Sequence, residues 1–584
     1  MHSHDPNKDN LAFQAEFQWI LDDAGDLLAD FTGFVFPSAN YSSHEFKALC
    51  LFADAKFAQD AMFEWAKFML GADFTGVTFM KAAQFGHATF TLAASLSLVE
   101  FTETADFRFA KFMGAADFSL AKFKQTADFS YAEFAQAAVF AGARFTQAVC
   151  FKEGSFTEAA DFSLAEFLQT ADLLHVRFTQ AAVFAEAKFT EKAIFSGASF
   201  AQRVNFSGAR FTEAADFSKV TFGSMADLSA ASFLGPADFH NATFAGLANF
   251  STTRFLGDAK FVEVHFESEC SFWLAELNGI ADFHHAAFDD AVEFRETIIL
   301  SGKNHSPAPI FALARFNTPE RVVFYKTYLG RALLHNCDVS RVQFSSVQWR
   351  GRPGNEKRMV FDEVIDTENV AAAALRTEDD YRDDRNYDLI AELYQQLKKN
   401  YDDKRDYWTA GDFHYGEMEM KRLSSPRRSP VLRWLHRNVG LAAWYKYASD
   451  YGESYVKPFL RLLLMLALFT FIYPACGLHH VSGEKGSSSK PVAQTNLIAT
   501  NTDEISYANL SQFLSASQNG KLRGIVRFFV QSAMTSVSVA SLRRDFADYE
   551  PQSVAGRFAA LIELLLTSTL VALFLLAVRR QFRR

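Results

Sequence analysis

The sequence predicts a solenoid of short strands, followed by a helical linker and a membrane domain with two spanning helices. Three observations lead to this fold class. Phenylalanine recurs with alternating steps of five and six residues, a small residue usually stands two positions before it, and two long apolar runs lie near the C-terminus. A chain of 584 residues is long enough for more than one domain.

The phenylalanine spacing is uneven but periodic. In ADFSLAKFKQTADFSYAEFAQAAVF, residues 116–140, it alternates between five and six, and it extends back to Phe46 and forward to Phe294 and Ile299. Leucine replaces phenylalanine at a few steps, namely Leu96, Leu173, Leu228 and Leu277. An α-helix would turn successive phenylalanines to nearly opposite faces, and a flat strand would change face only at the odd step. A coil with a corner every five or six residues lets each phenylalanine point to its axis.

The residue two positions before each phenylalanine is usually alanine, as in Ala105, Ala110, Ala116, Ala121, Ala127, Ala132, Ala138 and Ala143. Residues i and i−2 share one face of an extended segment, so both point inward. Aspartate often stands directly before phenylalanine, as in Asp106, Asp117, Asp128, Asp161, Asp172, Asp216, Asp227 and Asp238. We interpret these aspartates as solvated corner residues.

The segment ADFSLAKF resembles the A(D/N)LXX unit of the pentapeptide repeat family, in the variant with one extra residue in every second unit. The resemblance covers residues 31–350 and implies an all-β, right-handed quadrilateral β-helix with four units per coil. A strict step of five from Phe324 to Trp349 predicts closing coils of the ordinary type. Residues 1–30 are expected to form an N-terminal cap with a helix. Family members that inhibit topoisomerases by mimicking DNA suggest a weaker alternative role for the aspartates.

Residues 351–380 break the repeat and are predicted to be a linker. Residues 381–425 resemble one tetratricopeptide-like helical hairpin, because apolar residues follow helical spacing from Ile390 to Tyr401. We interpret this hairpin as an adaptor between solenoid and membrane rather than a peptide receptor. Residues 426–457 mix basic and aromatic side chains, which suits an interfacial segment on anionic lipid. The predicted membrane-interface residues are Arg427, Arg428, Arg433, Trp434, Arg437, Trp444 and Lys446.

The membrane domain is predicted to cover residues 458–584. The runs 459–478 and 558–578 are long enough to span a bilayer. Basic residues lie before the first run and after the second, so the positive-inside rule places the solenoid and the C-terminus in the cytoplasm. Residues 479–526 then form an extracytoplasmic loop. We expect a multi-pass protein of the inner, cytoplasmic membrane.

Between the two runs, residues 527–540 are predicted to form a short re-entrant helix. The order of span, short helix, polar turn and span resembles the two-helix pore-loop ion channels. The resemblance aligns their filter with Thr535, Ser536, Val537, Ser538, Val539 and Ala540, which lack both filter glycines. Arg543 and Arg544 follow where such channels carry an acid, and Thr567 occupies the hinge position of the inner helix. Glu563 is an intramembrane acid, either functional or bonded to the re-entrant segment, with Arg543 or Arg544 as its expected partner.

The arrangement resembles bacterial membrane proteins that join a pentapeptide-repeat rod to a two-span module. It suggests a homo-oligomeric ion channel or pore, tetrameric by analogy, which is assembled or gated through its cytoplasmic solenoid. The alternative is a non-conducting, membrane-anchored scaffold whose β-helix or hairpin binds a protein partner. A net charge of −10 argues against nucleic acid as a partner. We find no catalytic constellation, metal-ligand set or cofactor motif, so we do not expect an enzyme.

Overall fold

The computed structural model describes residues 9–299, 309–364, 386–424, 429–480, 522–542, 549–551 and 553–582. The chain forms two compact units, Met1–Asp403 and Lys404–Arg584. The first unit contains a parallel β-solenoid of about fourteen turns, which confirms the predicted fold class. The second unit is helical and includes two candidate membrane-spanning helices.

A complete turn of the solenoid consists of four short strands, and equivalent strands of successive turns pair in parallel to form four sheets of 15, 13, 12 and 13 strands. We call the sheets faces 1 to 4. Their first strands are Leu28–Asp30, Val35–Phe36, Ala39–Asn40 and Glu45–Phe46, and their last are Gln343–Ser345, Ile298–Ile299, Ala281–Asp282 and Arg315–Phe316. A representative turn is Ala61–Met62, Lys67–Phe68, Ala72–Asp73 and Thr78–Phe79. Paired residues such as Phe46 and Phe68 lie one turn, or two eleven-residue periods, apart.

Stacked phenylalanine rings fill the solenoid axis, as the sequence predicts. Phe140 is fully buried, and its ring lies 4.7 Å from that of Phe118 and 4.8 Å from that of Phe162, nearly parallel to both. It meets the rings of Phe129 and Phe151 edge-on. The leucines that replace phenylalanine and the alanines two positions before it are also buried. Large and small side chains therefore alternate around a dry core.

The corners explain the uneven spacing. In each five-residue step the chain closes a β-turn, such as the one in which the Ala55 amide donates to the Phe52 carbonyl at 2.9 Å. The third residue of that turn, Asp54, has φ of 58°, which is the backbone of a type II turn. The same left-handed position recurs at the corner between faces 1 and 2 and at the corner between faces 3 and 4. The six-residue steps form the other two corners.

Both ends of the solenoid are covered. Helix α1, Asn10–Ala24, packs Phe13, Phe17 and Leu21 on the first turn, within the region predicted to form the cap. The first strand begins at Leu28 rather than at the predicted residue 31.

The predicted linker also belongs partly to the solenoid end. An antiparallel ribbon of Arg350–Gly351 and Arg358–Met359 and a 3₁₀ turn at Phe361–Glu363 follow the last strand. Another 3₁₀ turn lies at Pro319–Arg321. Met359, Val360 and Phe361 are buried, because the last turn exposes apolar surface that must be covered. Helix α2, Tyr387–Asp403, ends the first unit.

The second unit contains six helices among its described residues. They are α3 Tyr407–Leu423, α4 Pro430–Val439, α5 Leu441–Ser449, α6 Val456–Cys476, α7 Leu522–Ser541 and α8 Val554–Phe582. A short antiparallel ribbon pairs Leu478–His480 with Tyr549–Pro551. Both helices of the predicted hairpin are present, but the division into units falls between them. The adaptor role of the hairpin stays a prediction.

Helices α6 and α8 are long and apolar enough to cross a membrane. In the most apolar 18-residue stretch of each helix, only 17% of the residues of α6 and 22% of those of α8 are buried. Outward residues such as Leu464 and Leu565 are more than half exposed. A helix in the core of a soluble domain would hide these side chains. Both helices begin before the predicted spans at 459 and 558, and α8 also extends past residue 578.

Candidate functional site

A buried carboxyl group lies among the three membrane-unit helices α6, α7 and α8. Glu563 of α8 is fully buried. The Tyr473 hydroxyl of α6 donates to its Oε2, and the Ser536 hydroxyl of α7 donates to its Oε1. We call Tyr473, Ser536, Glu563 and Thr567 the Glu563 cluster. Among the described residues no cationic side chain contacts Glu563.

Helix α7 contributes its polar face to this cluster. Ser532 and Ser536 are one helical turn apart and therefore lie on the same face. The Ser532 hydroxyl donates to the Thr470 carbonyl of α6 at 2.7 Å, and the Ser536 Oγ lies 3.3 Å from the Leu466 carbonyl oxygen. Apolar packing accompanies these bonds, because Phe529 and Val539 pack on the buried cluster around Tyr473. Serine hydroxyls of α7 therefore bond to backbone carbonyls of α6, and apolar side chains pack beside these bonds.

Thr567, at the predicted hinge position, is fully buried one turn after Glu563. Its hydroxyl donates to the Glu563 carbonyl at 2.7 Å. Hydroxyl bonds of this kind satisfy the side chain inside an apolar helix and can bend the helix. The role of Thr567 as a hinge stays a prediction.

The six filter-like residues, Thr535 to Ala540, lie inside α7. Their backbone is helical, in agreement with the helix predicted for residues 527–540. Their role as a filter stays a prediction. Thr535, Ser536 and Ser538 are buried within the unit, whereas Val537 is exposed. The helix also begins at Leu522, earlier than the predicted residue 527.

The expected partners of Glu563, Arg543 and Arg544, lie outside the described residues. The bonds that the structure does describe for Glu563 come from Ser536, in the predicted re-entrant segment, and from Tyr473, which the sequence analysis did not single out. Glu563 is thus bonded to the predicted re-entrant segment through Ser536, and whether it also has a functional role stays a prediction.

A second polar cluster lies on α3 and α5. Glu419 accepts hydrogen bonds from Arg422 at 2.5 Å, from Lys446 at 2.8 Å and from the Tyr451 hydroxyl at 2.8 Å. We call these four residues the Glu419 cluster. Burial alone would raise the pKa of Glu419, but the hydrogen bonds from Arg422 and Lys446 lower it to about 2. The carboxylate is therefore ionised in the folded unit, and burial beside it raises the pKa of Tyr451.

The Glu419 cluster connects to the end of α8 through Tyr451. The Arg580 guanidinium donates to the Tyr451 carbonyl at 3.1 Å and to the Glu453 carboxylate at 3.2 Å. Tyr451 and the Glu453 side chain are almost completely buried. Arg580 thus joins the last turns of a candidate spanning helix to the segment between α5 and α6.

The predicted membrane-interface residues have different surroundings. Trp434 and Trp444 are 60% and 63% exposed, as an interfacial segment requires. Arg433 is half-buried, and Arg437 donates to the Leu423 carbonyl at 2.9 Å. The ammonium group of Lys446 is bound by the buried carboxylate of Glu419, and the interface role of Lys446 stays a prediction. Arg427 and Arg428 lie outside the described residues.

The aspartates of the solenoid have a local structural role. In each of the eight singled out, the Oδ1 accepts a hydrogen bond from the backbone amide two residues later, for example from Ser119 to Asp117 at 2.8 Å. This is the geometry of an Asx-turn. It supports the interpretation of these aspartates as corner residues of the repeat.

The described architecture defines a class of protein, a parallel β-solenoid joined to helices that include two candidate membrane spans. Three segments of the solenoid, residues 107–155, 184–232 and 229–276, match the family model of pentapeptide repeats (9 copies). The resemblance to pentapeptide repeats is thereby confirmed for the solenoid. No curated protein and no solved structure matches the chain.

Proposed function

We propose that the chain forms a homo-oligomeric ion channel or pore in a cytoplasmic membrane, assembled or gated through its solenoid. The Glu563 cluster carries this proposal. An acid inside a membrane bundle is energetically costly, and such residues typically mark functional sites. Here it lies where the polar face of α7 packs against both candidate spanning helices. The order of α6, α7 and α8 is that of outer helix, short helix and inner helix in the two-helix channels.

The proposed topology places the solenoid and the C-terminus in the cytoplasm, with the lipid bilayer and further copies of the chain as partners. Arg579 and Arg580 after the second apolar run and the exposed Trp434 and Trp444 before the first support it. A tetramer is proposed only by analogy with the two-helix channels. The proposal includes no catalytic activity and no cofactor.

A non-conducting scaffold, anchored by the same helices, is the second candidate. Two observations favour it. The backbone of residues 535–540 is helical, so its carbonyl groups are not arranged as a filter. Glu563 is also hydrogen-bonded within one chain and does not need a second copy to satisfy it. In the scaffold, the membrane helices hold the solenoid at the bilayer, where it binds a protein partner.

Ion flux through the purified full-length chain in liposomes distinguishes the two candidates. For a channel we expect flux in the wild type and a loss of at least tenfold, or a changed ion preference, in Glu563→Gln. Thr569→Ala is the matched control, because Thr569 is an exposed residue of the same helix whose hydroxyl donates to the Leu565 carbonyl one turn earlier. Absence of flux for Na⁺, K⁺ and Cl⁻ at both polarities, in liposomes shown to contain folded protein, would favour the scaffold. Wild-type flux in Glu563→Gln would remove the Glu563 cluster from the pore.

A further inference from the structure

Four aromatic rings stack along one corner of the solenoid. Trp65, His87, Phe109 and Tyr131 occupy successive turns at the corner between faces 3 and 4. Their ring centres are 3.9, 4.8 and 4.9 Å apart in that order, and neighbouring planes are within 6° of parallel. We call these four residues the aromatic ladder.

The ladder faces solvent. Trp65 is 58% exposed, Phe109 43% and Tyr131 39%. Because the rings cover each other's faces, it is mainly their edges that are exposed to solvent. Single exposed aromatic residues are common on protein surfaces, but a contiguous exposed apolar patch is typical of an interaction site.

All four residues have left-handed backbone, with φ between 56° and 61°. This conformation costs a residue with a Cβ atom about 1 kcal/mol. Later turns have Gly197 and Asn241 at the same corner, which are the residue types that tolerate it best. Stacking offsets part of this cost. It does not explain why the apolar edges stay in water.

The two flanks of the ladder carry opposite net charge. On the face 3 side the charged residues are Glu64, Asp106, Arg108 and Asp128, so this flank is net negative. On the face 4 side they are Lys67, Lys111 and Glu133, so this flank is net positive. Arg108 is paired with Asp106 and Lys111 with Glu133 within the chain. A surface with an apolar centre and oppositely charged flanks can be complementary to itself.

We propose that the aromatic ladder is a contact between two copies of this chain, with their solenoids side by side and parallel. The inference rests on the proposed homo-oligomer and assigns one of its interfaces. A second copy has the same ring spacing, so all four rings meet their equivalents at the same height. A twofold axis along the ladder places the negative flank of one copy opposite the positive flank of the other. An antiparallel pair would oppose flanks of like charge.

Disulfide cross-linking of the full-length chain tests this contact directly. Cys150 and Cys476, the two cysteines that are not fully buried, are first replaced by serine. Tyr131→Cys is then introduced, because the twofold axis brings the two copies of residue 131 together. Leu120→Cys is the control: Leu120 is 53% exposed, has φ of 55° and lies on the corner between faces 1 and 2, diagonally opposite the ladder. On mild oxidation in detergent we expect a covalent dimer for Tyr131→Cys and none for Leu120→Cys, at a yield independent of dilution.

A loss-of-contact variant gives a second measurement. The double substitution Phe109→Asn and Tyr131→Asn keeps a residue type that the left-handed corner accepts, as Asn241 shows. We expect its oligomer to dissociate with a constant at least tenfold above that of the wild type in analytical ultracentrifugation. Leu120→Asn should leave the constant unchanged. Circular dichroism checks that each variant keeps its β-structure.

The outcomes separate this proposal from the proposed function. A wild-type oligomer in which Tyr131→Cys forms no dimer, or no more than Leu120→Cys, overturns the ladder contact and leaves the homo-oligomer in place. The ladder would then remain available to a different protein. A wild type that is monomeric at every concentration tested overturns both proposals.

Discussion

The solenoid and the membrane unit satisfy their polar groups in different ways. In the solenoid, the aspartate before a phenylalanine typically accepts a hydrogen bond from the amide two residues later, and backbone amides donate to carbonyl groups of the neighbouring turns. In the membrane unit, buried polar groups find partners far along the chain: Tyr473 and Glu563 are 90 residues apart, and Arg580 and Tyr451 are 129 apart. The solenoid repeats the same short-range hydrogen bonds in many turns, whereas the membrane unit depends on a few bonds between residues distant in sequence.

This difference determines how each unit should respond to substitution. A repeat array distributes its stability over many nearly equivalent interfaces, so position within the repeat matters more than the particular turn. A cluster such as that around Glu419 is not repeated among the described residues of its unit, and its members should be coupled to one another. The following predictions test the comparison, from the largest expected effect to the smallest.

The largest effect is expected in the solenoid core. Phe140→Ala removes a fully buried ring that contacts five others, and it should lower the free energy of unfolding by about 4 kcal/mol. Hydrogen exchange of the full-length chain should report it as faster exchange in the turns around residue 140. Leu120→Ala, at an exposed corner, should change the free energy by less than about 0.5 kcal/mol. Equal effects of the two variants would contradict the description of the core.

The next effect concerns the Glu419 cluster and depends on pH. The pKa of Glu419 is lowered from 4.5 to about 2 in the folded unit, so its contribution is complete above about pH 5 and is lost as the pH falls towards 2. Glu419→Gln should cost on the order of 3 kcal/mol at neutral pH, because it leaves Arg422 and Lys446 without their carboxylate. Thermal unfolding in detergent across this pH range measures both effects.

An exposed ion pair serves as the control for the pH dependence of the Glu419 cluster. Lys457 and Asp450 form an ion pair at 2.7 Å, but the Lys457 side chain is about half exposed. Lys457→Met should therefore cost less than about 1 kcal/mol. If Glu419→Gln loses stability on acidification as steeply as the wild type, the bonds to Glu419 are not the source of the pH dependence.

A smaller effect is expected for the Glu563 cluster. Glu563→Gln keeps the size of the side chain but presents an amide donor to a hydroxyl that is itself a donor, and it should lower stability by about 2 kcal/mol. Tyr473→Phe removes one bond and should cost about 1 kcal/mol. Thermal unfolding in detergent checks both, with Thr569→Ala as the neutral comparison. Stability unchanged in both variants would mean that the cluster does not hold α6, α7 and α8 together.

The smallest effect is expected at a single aspartate of the repeat. Asp161→Ala removes the hydrogen bond to the Ser163 amide, 2.8 Å long, and should cost about 1 kcal/mol. Asp161→Asn should be nearly neutral, because Asn205 makes the equivalent bond to Ser207 at 2.8 Å. Urea unfolding of the full-length chain compares the two variants. A larger loss in the asparagine variant would show that charge, and not the turn bond, selects aspartate there.

The sequence predicts the solenoid well because its information is local and repeated. Each phenylalanine, the alanine before it and the aspartate between them act within a few residues, so the pattern identifies the inward positions turn after turn. The aromatic ladder was missed although its residues recur at a regular interval. Its members become neighbours only when four units make one turn, whereas the phenylalanine pattern of the core repeats every eleven residues.

In the membrane unit the sequence predicts the helices and their order but not their bonds. Length and apolarity identify α6 and α8, and Glu563 stands out as an acid in an apolar run. Nothing in the sequence around these residues indicates that Glu563 bonds to Tyr473, or that Lys446 bonds to Glu419. The basic and aromatic neighbours of Lys446 in the sequence predict a position at the lipid interface. The structure adds a partner on another helix, the Glu419 carboxylate.

By itself, then, the sequence determined the repeat, its inward residues, the end cap and the two candidate spans, because periodicity and hydrophobic length act over neighbouring residues. The tertiary structure decided which turns have left-handed corners lined with aromatic rings, which hydroxyls meet Glu563 and which cations hold Glu419. These choices depend on packing between segments that are distant in sequence, where a buried polar group must find whichever partner the fold brings within hydrogen-bond distance.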